Sequence, residues 1–359
     1  MAPVYFYGIV IMIKKSIRIR FVDFNAEFRE PDNWLYHWLT SHGYDVVISN
    51  KPDYLVFSVF GEEHLKYNDC IKIFFTGECQ TPDFNLCDYA IGFDYLDYGD
   101  RYLRYPLYLL YRKAMAQMLV KHQISDADIA AKKDFCAFVY SNGRAAEQRI
   151  NFFHALDSIR KVNSGGKLLN NIGKPVEDKL AFQAKHRFSI AFENTSFPGY
   201  TTEKLIEAFA SRTIPIYCGD PMVAQDFNPK AFINCADFSS INEVIQRVID
   251  IDNHPELVRQ YLREPALRDE HLPEKMNKAL DNFLSNIFTQ DLAHAKRFNR
   301  NYWGARIVQE RKRQVNAYHK TLYYRMMRLY TKHIYPIARK HIGLWKITQK
   351  LMKYTSRNI

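Results

Sequence analysis

Short β-rich runs alternate with amphipathic helical stretches through both halves of the chain, and this alternation restricts the fold more than any other feature. Residues 16–24 place Ile17, Ile19 and Phe21 on one face of a strand and Arg18 and Arg20 on the other. After Pro31 and Asp32, the 3–4 spacing of Trp34, Leu35, Trp38 and Leu39 predicts a helix. Further strands are expected at 45–49, 54–60, 72–75 and 89–93, followed by an apolar helical stretch over 101–122 broken at Pro106. The pattern then repeats, with strands at 134–140, 189–192, 213–218 and 231–234 and helices at 145–159, 202–211, 241–250 and 276–288. Parallel strands need crossover connections, so strands this short between helices predict open parallel sheets covered by helices. At about 150 residues per domain, 359 residues favour two such units. The polar segment 125–133 places the boundary near 115–133, which gives a first Rossmann-like domain over 1–120, a second over 121–300 and C-terminal helices over 301–359. The expected class is α/β, two Rossmann-like domains facing across a cleft. Ligands of such sheets sit at the carboxyl ends of the strands.

The net charge of +11 invites a nucleic-acid reading until it is divided. Residues 291–359 hold 17 Lys and Arg against Asp291 and Glu310, while the other 290 residues hold 33 bases and 37 acids. A slightly acidic body with a basic tail excludes a phosphate-backbone binder and points to a surface anchor. No run approaches the roughly 20 apolar residues of a membrane span. The apolar stretch 4–13 lacks the flanks of a signal peptide. Met12-Ile-Lys-Lys-Ser reads as a natural start, with residues 1–11 upstream of it. The six cysteines form no CxxC pair and read as reduced core thiols of a cytosolic protein.

The most informative segment runs from Phe192 through Glu193, Asn194, Pro198, Gly199, Tyr200, Thr201, Thr202 and Glu203 to Lys204. A strand enters a Pro-Gly turn and a helix opens at Thr201 or Thr202. A helix N-terminus offers unpaired N–H groups and partial positive charge, a setting for phosphate. Lys204 in that first turn opposes the helix dipole and needs an anionic partner. Read without reference to any family, the segment fits a solvated first turn with a Glu-Lys pair better than a phosphate site. Asp126-Ala-Asp128 and Asp250-Ile-Asp252 have the spacing of a metal-binding Asp-x-Asp, but both read as solvated faces. The sequon Asn194-Thr195-Ser196 lies inside the central segment, and the histidines form no metal cluster.

This segment, continued through Leu205–Phe209 and on to Thr213-Ile-Pro-Ile-Tyr-Cys-Gly-Asp-Pro221, resembles the donor-binding motif of the α1,3/4-fucosyltransferases, most nearly the bacterial branch acting on lipopolysaccharide glycans. The resemblance extends over roughly 200 residues, from about 70 to about Leu267. It implies a GT-B-like fold and transfer of L-fucose from GDP-β-L-fucose to a GlcNAc hydroxyl of an N-acetyllactosamine-type glycan. It further implies inversion by a single displacement, α1,3 ahead of α1,4 linkage, no cofactor and no essential metal. Lys204 and Glu203 match the family's pair for diphosphate and ribose, and Asn194 and Tyr200 match residues lining the nucleotide site. Ser141-Asn142 and then Arg149, before Phe152-Phe153, resemble the element whose arginine contacts the diphosphate; Arg144 is a rival with the wrong spacing. Phe75-Thr76-Gly77-Glu78 matches the element carrying the general base, so Glu78 takes that role, with partial burial expected to raise its pKa.

After about residue 290 the resemblance fades, and the heptad repeats common in bacterial relatives are missing, which leaves the oligomeric state open. Leu322, Met326 and Leu329 share one helical face, as do Leu344, Ile347, Leu351 and Tyr354 beyond Pro336, with basic residues flanking both and Trp345 at the border. Residues 318–359 thus read as an amphipathic helix pair on an anionic membrane, and 291–317 as helices packing on the first domain. The implied location is cytoplasmic, peripheral at the inner face of the cytoplasmic membrane, with GDP-fucose and a glycan acceptor as partners and no nucleic acid. The reading from a different class is a non-catalytic polyanion- or membrane-binding module on the same fold.

Overall fold

The computed structural model describes residues 3–6, 9–12, 15–120, 124–141 and 147–338. It contains two compact units, each built on a parallel sheet.

The first unit comprises 1–92, 96–105 and 278–321. Its six strands run in the order Asp45–Ile48, Ser16–Val22, Tyr54–Phe57, Ile71–Phe75, Tyr89–Gly92 and Tyr102–Arg104, every pairing parallel. Strand Ser16–Val22 alternates as its sequence requires, with Ile17, Ile19 and Phe21 buried. A separate antiparallel hairpin pairs Pro3–Phe6 with Ile9–Met12. Helix Trp34–Ser41 is capped by Asn33, whose side chain accepts the N–H groups of Leu35 and Tyr36. Residues 102–104, expected in a helix, form the edge strand instead, and a helix begins only at Arg112. Tyr102 is buried in the core of this unit, and Pro106 cannot continue a ladder or donate within a helix.

Residues 278–321 also belong to this unit, although a boundary at 300 was expected. Charge explains the attachment. Asp88, buried after Cys87, accepts the N–H groups of Arg297 and Phe298 and forms an ion pair with Arg300 at 2.8 Å. Asp100 pairs with Arg297 at 2.6 Å, and the Trp38 indole donates to Asp281 at 2.7 Å.

The second unit contains 93–95, 106–277 and the described residues from Leu322. Its sheet order is Val162–Ser164, Asp134–Phe138, His186–Phe192, Ile214–Cys218, Ile233–Asn234, again entirely parallel. The division falls near 106, earlier than the boundary at 120 read from composition. The short strand Val162–Ser164 carries too little pattern to be seen in sequence. Pro215 is tolerated in an inner strand because the neighbouring strand first pairs at Ile216, so no donor is missed. Phe138, Phe152, Leu156, Val162, Phe188 and Ile216 form the fully buried centre of the core.

This order is the doubly wound one in which successive connections reverse direction beside the first strand. The reversal lies between Asp134–Phe138 and His186–Phe192, so the segments leaving those two strands meet at one carboxyl edge. Arg149 follows the first of them and Asn194 the second.

Candidate active site

Arg149 lies in the first turn of helix Glu147–Ile159, ahead of Phe152 and Phe153, which anchor the helix in the core. It is only 2% exposed, whereas an arginine in such a turn is ordinarily solvated. One terminal nitrogen, Nη2, donates to the Phe192 carbonyl at 2.7 Å and to Asn194 Oδ1 at 3.1 Å. The guanidinium carbon sits 4.0 Å from the centre of the Tyr140 ring. Tyr140 is itself fixed, donating to the Ile190 carbonyl at 2.9 Å and accepting the Phe192 N–H at 2.7 Å. Nε and Nη1 of Arg149 are buried and have no hydrogen-bond partner among the described residues. Asn142 and Arg144, the other members of that sequence element, lie outside the described residues.

The strand His186–Phe192 delivers Glu193 and Asn194 to the same edge. Glu193 has a fully buried side chain whose oxygens accept the Thr202 N–H at 2.8 Å, the Thr202 hydroxyl at 2.7 Å and Lys204 Nζ at 3.2 Å. Burial pushes its carboxyl up, opposed by Lys204 and Thr202. Lys204 Nζ also meets Glu203 Oε1 at 3.1 Å and the Thr202 hydroxyl at 2.9 Å. Burial would lower the Lys204 ammonium, but Glu193 and Glu203 outweigh it and hold the proton above the ordinary lysine range. Burial raises Glu203 in turn, yet Lys204 and Lys179 keep its carboxyl below the usual value.

These contacts correct one expectation. Helix Glu203–Ala210 does open after Thr202, but the Thr202 side chain makes no capping bond, and its N–H is taken by Glu193. The anion at this helix start is therefore built into the protein, and Lys204 has its partners without a ligand.

The Pro-Gly turn depends on Gly199, whose φ of 83° is left-handed and whose added Cβ would lie 2.3 Å from the Phe93 carbonyl oxygen. Its N–H donates to Asp220 Oδ1 at 2.8 Å, and Asp220 Oδ2 accepts the Thr201 hydroxyl at 3.1 Å. Tyr200 is buried, its ring edge-on to Phe93 with centroids 5.1 Å apart. The structure therefore gathers Arg149, Asn194, Glu203 and Lys204 with Tyr200 packed beneath the turn. Sequence reading gave no role to Glu193, Asp220 or Tyr140. Each stands at or just past the carboxyl end of a strand of one sheet, and that position was their only signal.

Glu78, in the first unit, follows strand Ile71–Phe75 in a tight turn. Its N–H donates to the Thr76 hydroxyl at 3.0 Å, and its carbonyl accepts the Gln80 N–H at 2.8 Å. The side chain is exposed, not partly buried as expected. The turn fixes its backbone and leaves its carboxylate in solvent.

Neither Asp-x-Asp is poised for a metal. Asp126 pairs with Arg259 at 2.9 Å and with Arg263, while Asp128 completes the capping box of Ser125. Asp252 corrects the solvated reading, for its side chain is fully buried between Arg160 and Arg187. No group of three or more potential metal-ligating side chains occurs among the described residues. The cysteines also differ from expectation. All six are free, but only Cys70, Cys87 and Cys136 are buried; Cys79, Cys218 and Cys235 are partly exposed.

Two family models match the chain. The α-(1,3)-fucosyltransferase N-terminal domain matches residues 19–111, and the C-terminal domain of glycosyltransferase family 10 (fucosyltransferase) matches 129–286. An α-(1,3)-fucosyltransferase of Helicobacter pylori is 35% identical over 279 residues, covering 68% of this chain and 58% of that protein, less than two thirds of its length. A crystal structure of an α1,3-fucosyltransferase aligns at 32% identity with a TM-score of 0.65, over 76% of this chain and 91% of that one. A structure of α1,3-fucosyltransferase with GDP-fucose aligns at 30% identity with a TM-score of 0.63, over 79% and 94%. With both halves matched in order and the solved relative covered almost end to end, the chain belongs to glycosyltransferase family 10, the fucosyltransferases.

Proposed function

We propose that the protein transfers L-fucose from GDP-β-L-fucose to a GlcNAc hydroxyl of an N-acetyllactosamine-type glycan, α1,3 in preference to α1,4, with inversion at the anomeric carbon. The observation that carries this is Arg149, a buried guanidinium with two N–H-bearing nitrogens unpartnered among the described residues, at the reversal point of a doubly wound sheet. A buried cation with idle donors is costly unless a ligand satisfies it, and a planar guanidinium suits two oxygens of a diphosphate. The relative solved with GDP-fucose supports that choice of ligand.

In this reading Glu78 takes the proton of the acceptor hydroxyl as its oxygen attacks fucose C1 from the face opposite GDP. Arg149 and Lys204 stabilise the charge growing on the leaving β-phosphate. Glu203 and Asn194 accept and donate hydrogen bonds at the nucleotide, and Tyr200 shapes its pocket wall. A glycan panel with GDP-fucose, with product linkage and anomeric configuration read by NMR, tests the proposal. A retained β configuration would overturn the single displacement, and hydrolysis or transfer by none of the panel would favour the non-catalytic module.

Because cationic side chains supply the charge, turnover in excess EDTA is expected to stay within about twofold of the untreated rate. Loss of activity in chelator, restored by Mn²⁺, would overturn the metal-independent mechanism.

The membrane contact is also part of the proposal. Leu322, Met326 and Leu329 are 73%, 60% and 61% exposed on helix Leu322–Leu329, with Arg325 and Arg328 on the same turns. No described helix is long and apolar enough to cross a bilayer. Leu344, Ile347, Leu351 and Trp345 lie outside the described residues. The exposed apolar face beside Arg325 and Arg328 supports a peripheral position at the inner face of the cytoplasmic membrane. Deleting 318–359 removes ten of the 50 Lys and Arg and no acid. The truncated protein should stop sedimenting with anionic vesicles while keeping its rate on a small soluble acceptor. An inactive, aggregating truncation would show instead that these helices cover apolar surface of the protein.

A further inference from the structure

Strand Ile214–Cys218 ends in Cys218, and the neighbouring parallel strand Ile233–Asn234 is followed at once by Cys235. The register pairs Ile216 with Ile233 and Tyr217 with Asn234, so the next matched pair is Cys218 and Cys235. Adjacent strands lie about 4.8 Å apart, within the Cα separation a disulfide accepts. Both side chains pack against the same core cluster, which puts them on one face of the sheet, and both remain partly exposed.

We propose that Cys218 and Cys235 are an oxidisable dithiol that closes to a disulfide by exchange with a low-molecular-weight disulfide, and that closure weakens the nucleotide site. In the first step the Cys218 thiolate attacks one sulfur of the small disulfide, forming a mixed disulfide and expelling one small thiolate. In the second, Cys235 gives up its proton and attacks Cys218 Sγ, expelling the other half. Two protein thiols and one small disulfide become one protein disulfide and two small thiols.

Cys218 is the attacking sulfur. The neighbouring Cys235 thiol shifts the Cys218 thiol down; burial opposes this, and the nearby Arg149 charge adds to it. The neighbouring Cys218 and burial shift Cys235 up, as suits a resolving thiol.

The coupling runs through the chain beside Cys218. Its carbonyl accepts the Glu193 N–H at 2.8 Å, and Gly219 lies so close that an added Cβ would meet Glu193 Cγ at 2.5 Å. The Gly219 carbonyl accepts the Ser196 hydroxyl at 2.6 Å. Cys235 lies on the side of the strand opposite Glu193, so drawing Cys218 toward it pulls this backbone away from the residue whose carboxylate positions Thr202 and Lys204. This second half rests on the nucleotide reading above; the first half does not.

The full-length protein is incubated with glutathione disulfide, peptide-mapped by mass spectrometry, and titrated with GDP by calorimetry before and after. A Cys218–Cys235 bridge reversible by dithiothreitol is expected, with glutathione trapped on Cys218 in the Cys235→Ser variant and Cys79 as the internal comparison. GDP affinity should fall about tenfold on closure, recover on reduction, and no longer respond to oxidant in Cys218→Ser. Absence of the bridge, or adducts on Cys235 in preference to Cys218, would overturn the dithiol assignment. A bridge that leaves GDP affinity unchanged would overturn the coupling. Failure of the reduced protein to bind GDP would count against the nucleotide reading, with the bridge still read by mass.

Discussion

Glu78→Ala should lower kcat by about 10²–10⁴-fold at saturating acceptor, the usual share of a general base, with GDP affinity within about twofold of wild type. The turn explains why the loss should be confined to chemistry. Backbone bonds from Thr76 and to Gln80 hold residue 78 in place whatever its side chain, and the carboxylate contributes no packing because it is exposed. Glu78→Gln keeps the shape and removes the basicity, so it should lose nearly as much. Rapid-quench measurement of fucose transfer, beside GDP calorimetry, separates the steps. A fall in kcat below about fivefold, or equal losses of turnover and nucleotide affinity, would remove Glu78 from the role of base.

Arg149 and Lys204 should respond to removal in opposite ways, although both are cations of the same site. Arg149 has two buried nitrogens without acceptors among the described residues, so part of its hydrogen-bonding capacity is unused in the free protein. Arg149→Met should therefore leave the melting temperature of the free protein within about 2–4 °C of wild type, or above it, while GDP affinity drops about a hundredfold from two lost charge-assisted bonds. Lys204 is held by Glu193 and Glu203, and Lys204→Met would strand a buried carboxylate. Breaking a buried pair costs about 3–5 kcal/mol, which should appear as a loss of stability without any ligand. The sign with pH follows from the raised Lys204 value. Its stabilisation is fully present below the ordinary lysine titration near pH 10.4 and is lost only as pH rises through the higher folded-state value. Thermal melts with and without GDP check both variants. A strongly destabilised Arg149→Met that still binds GDP would make Arg149 structural.

The sequence by itself determined the class of fold and the order of its elements. Alternation is a local property, so Ile17, Ile19 and Phe21 mark their strand in any context, and helix Trp34–Ser41 follows from 3–4 spacing. The helix start at Thr202, Glu203 and Lys204 was legible for the same reason, being contiguous after one turn, whereas Asn194 and Tyr200 were given roles only by resemblance. Arg149 was legible only by resemblance, because its burial arises from strands 40 residues downstream in the chain that local pattern does not contain. Tertiary structure alone decided that Glu193 caps the helix and neutralises Lys204, since nine residues separate it from Thr202. It also decided that Glu78 is exposed, that Asp252 is buried between arginines, and that residues 278–321 join the first unit through Asp88. Cys218 and Cys235 read as unrelated core thiols until the parallel register set them side by side. The difference is one of range. Backbone periodicity and turn chemistry are fixed by neighbours in the chain, whereas burial, ion pairing and thiol proximity are fixed by which strands a right-handed crossover makes adjacent.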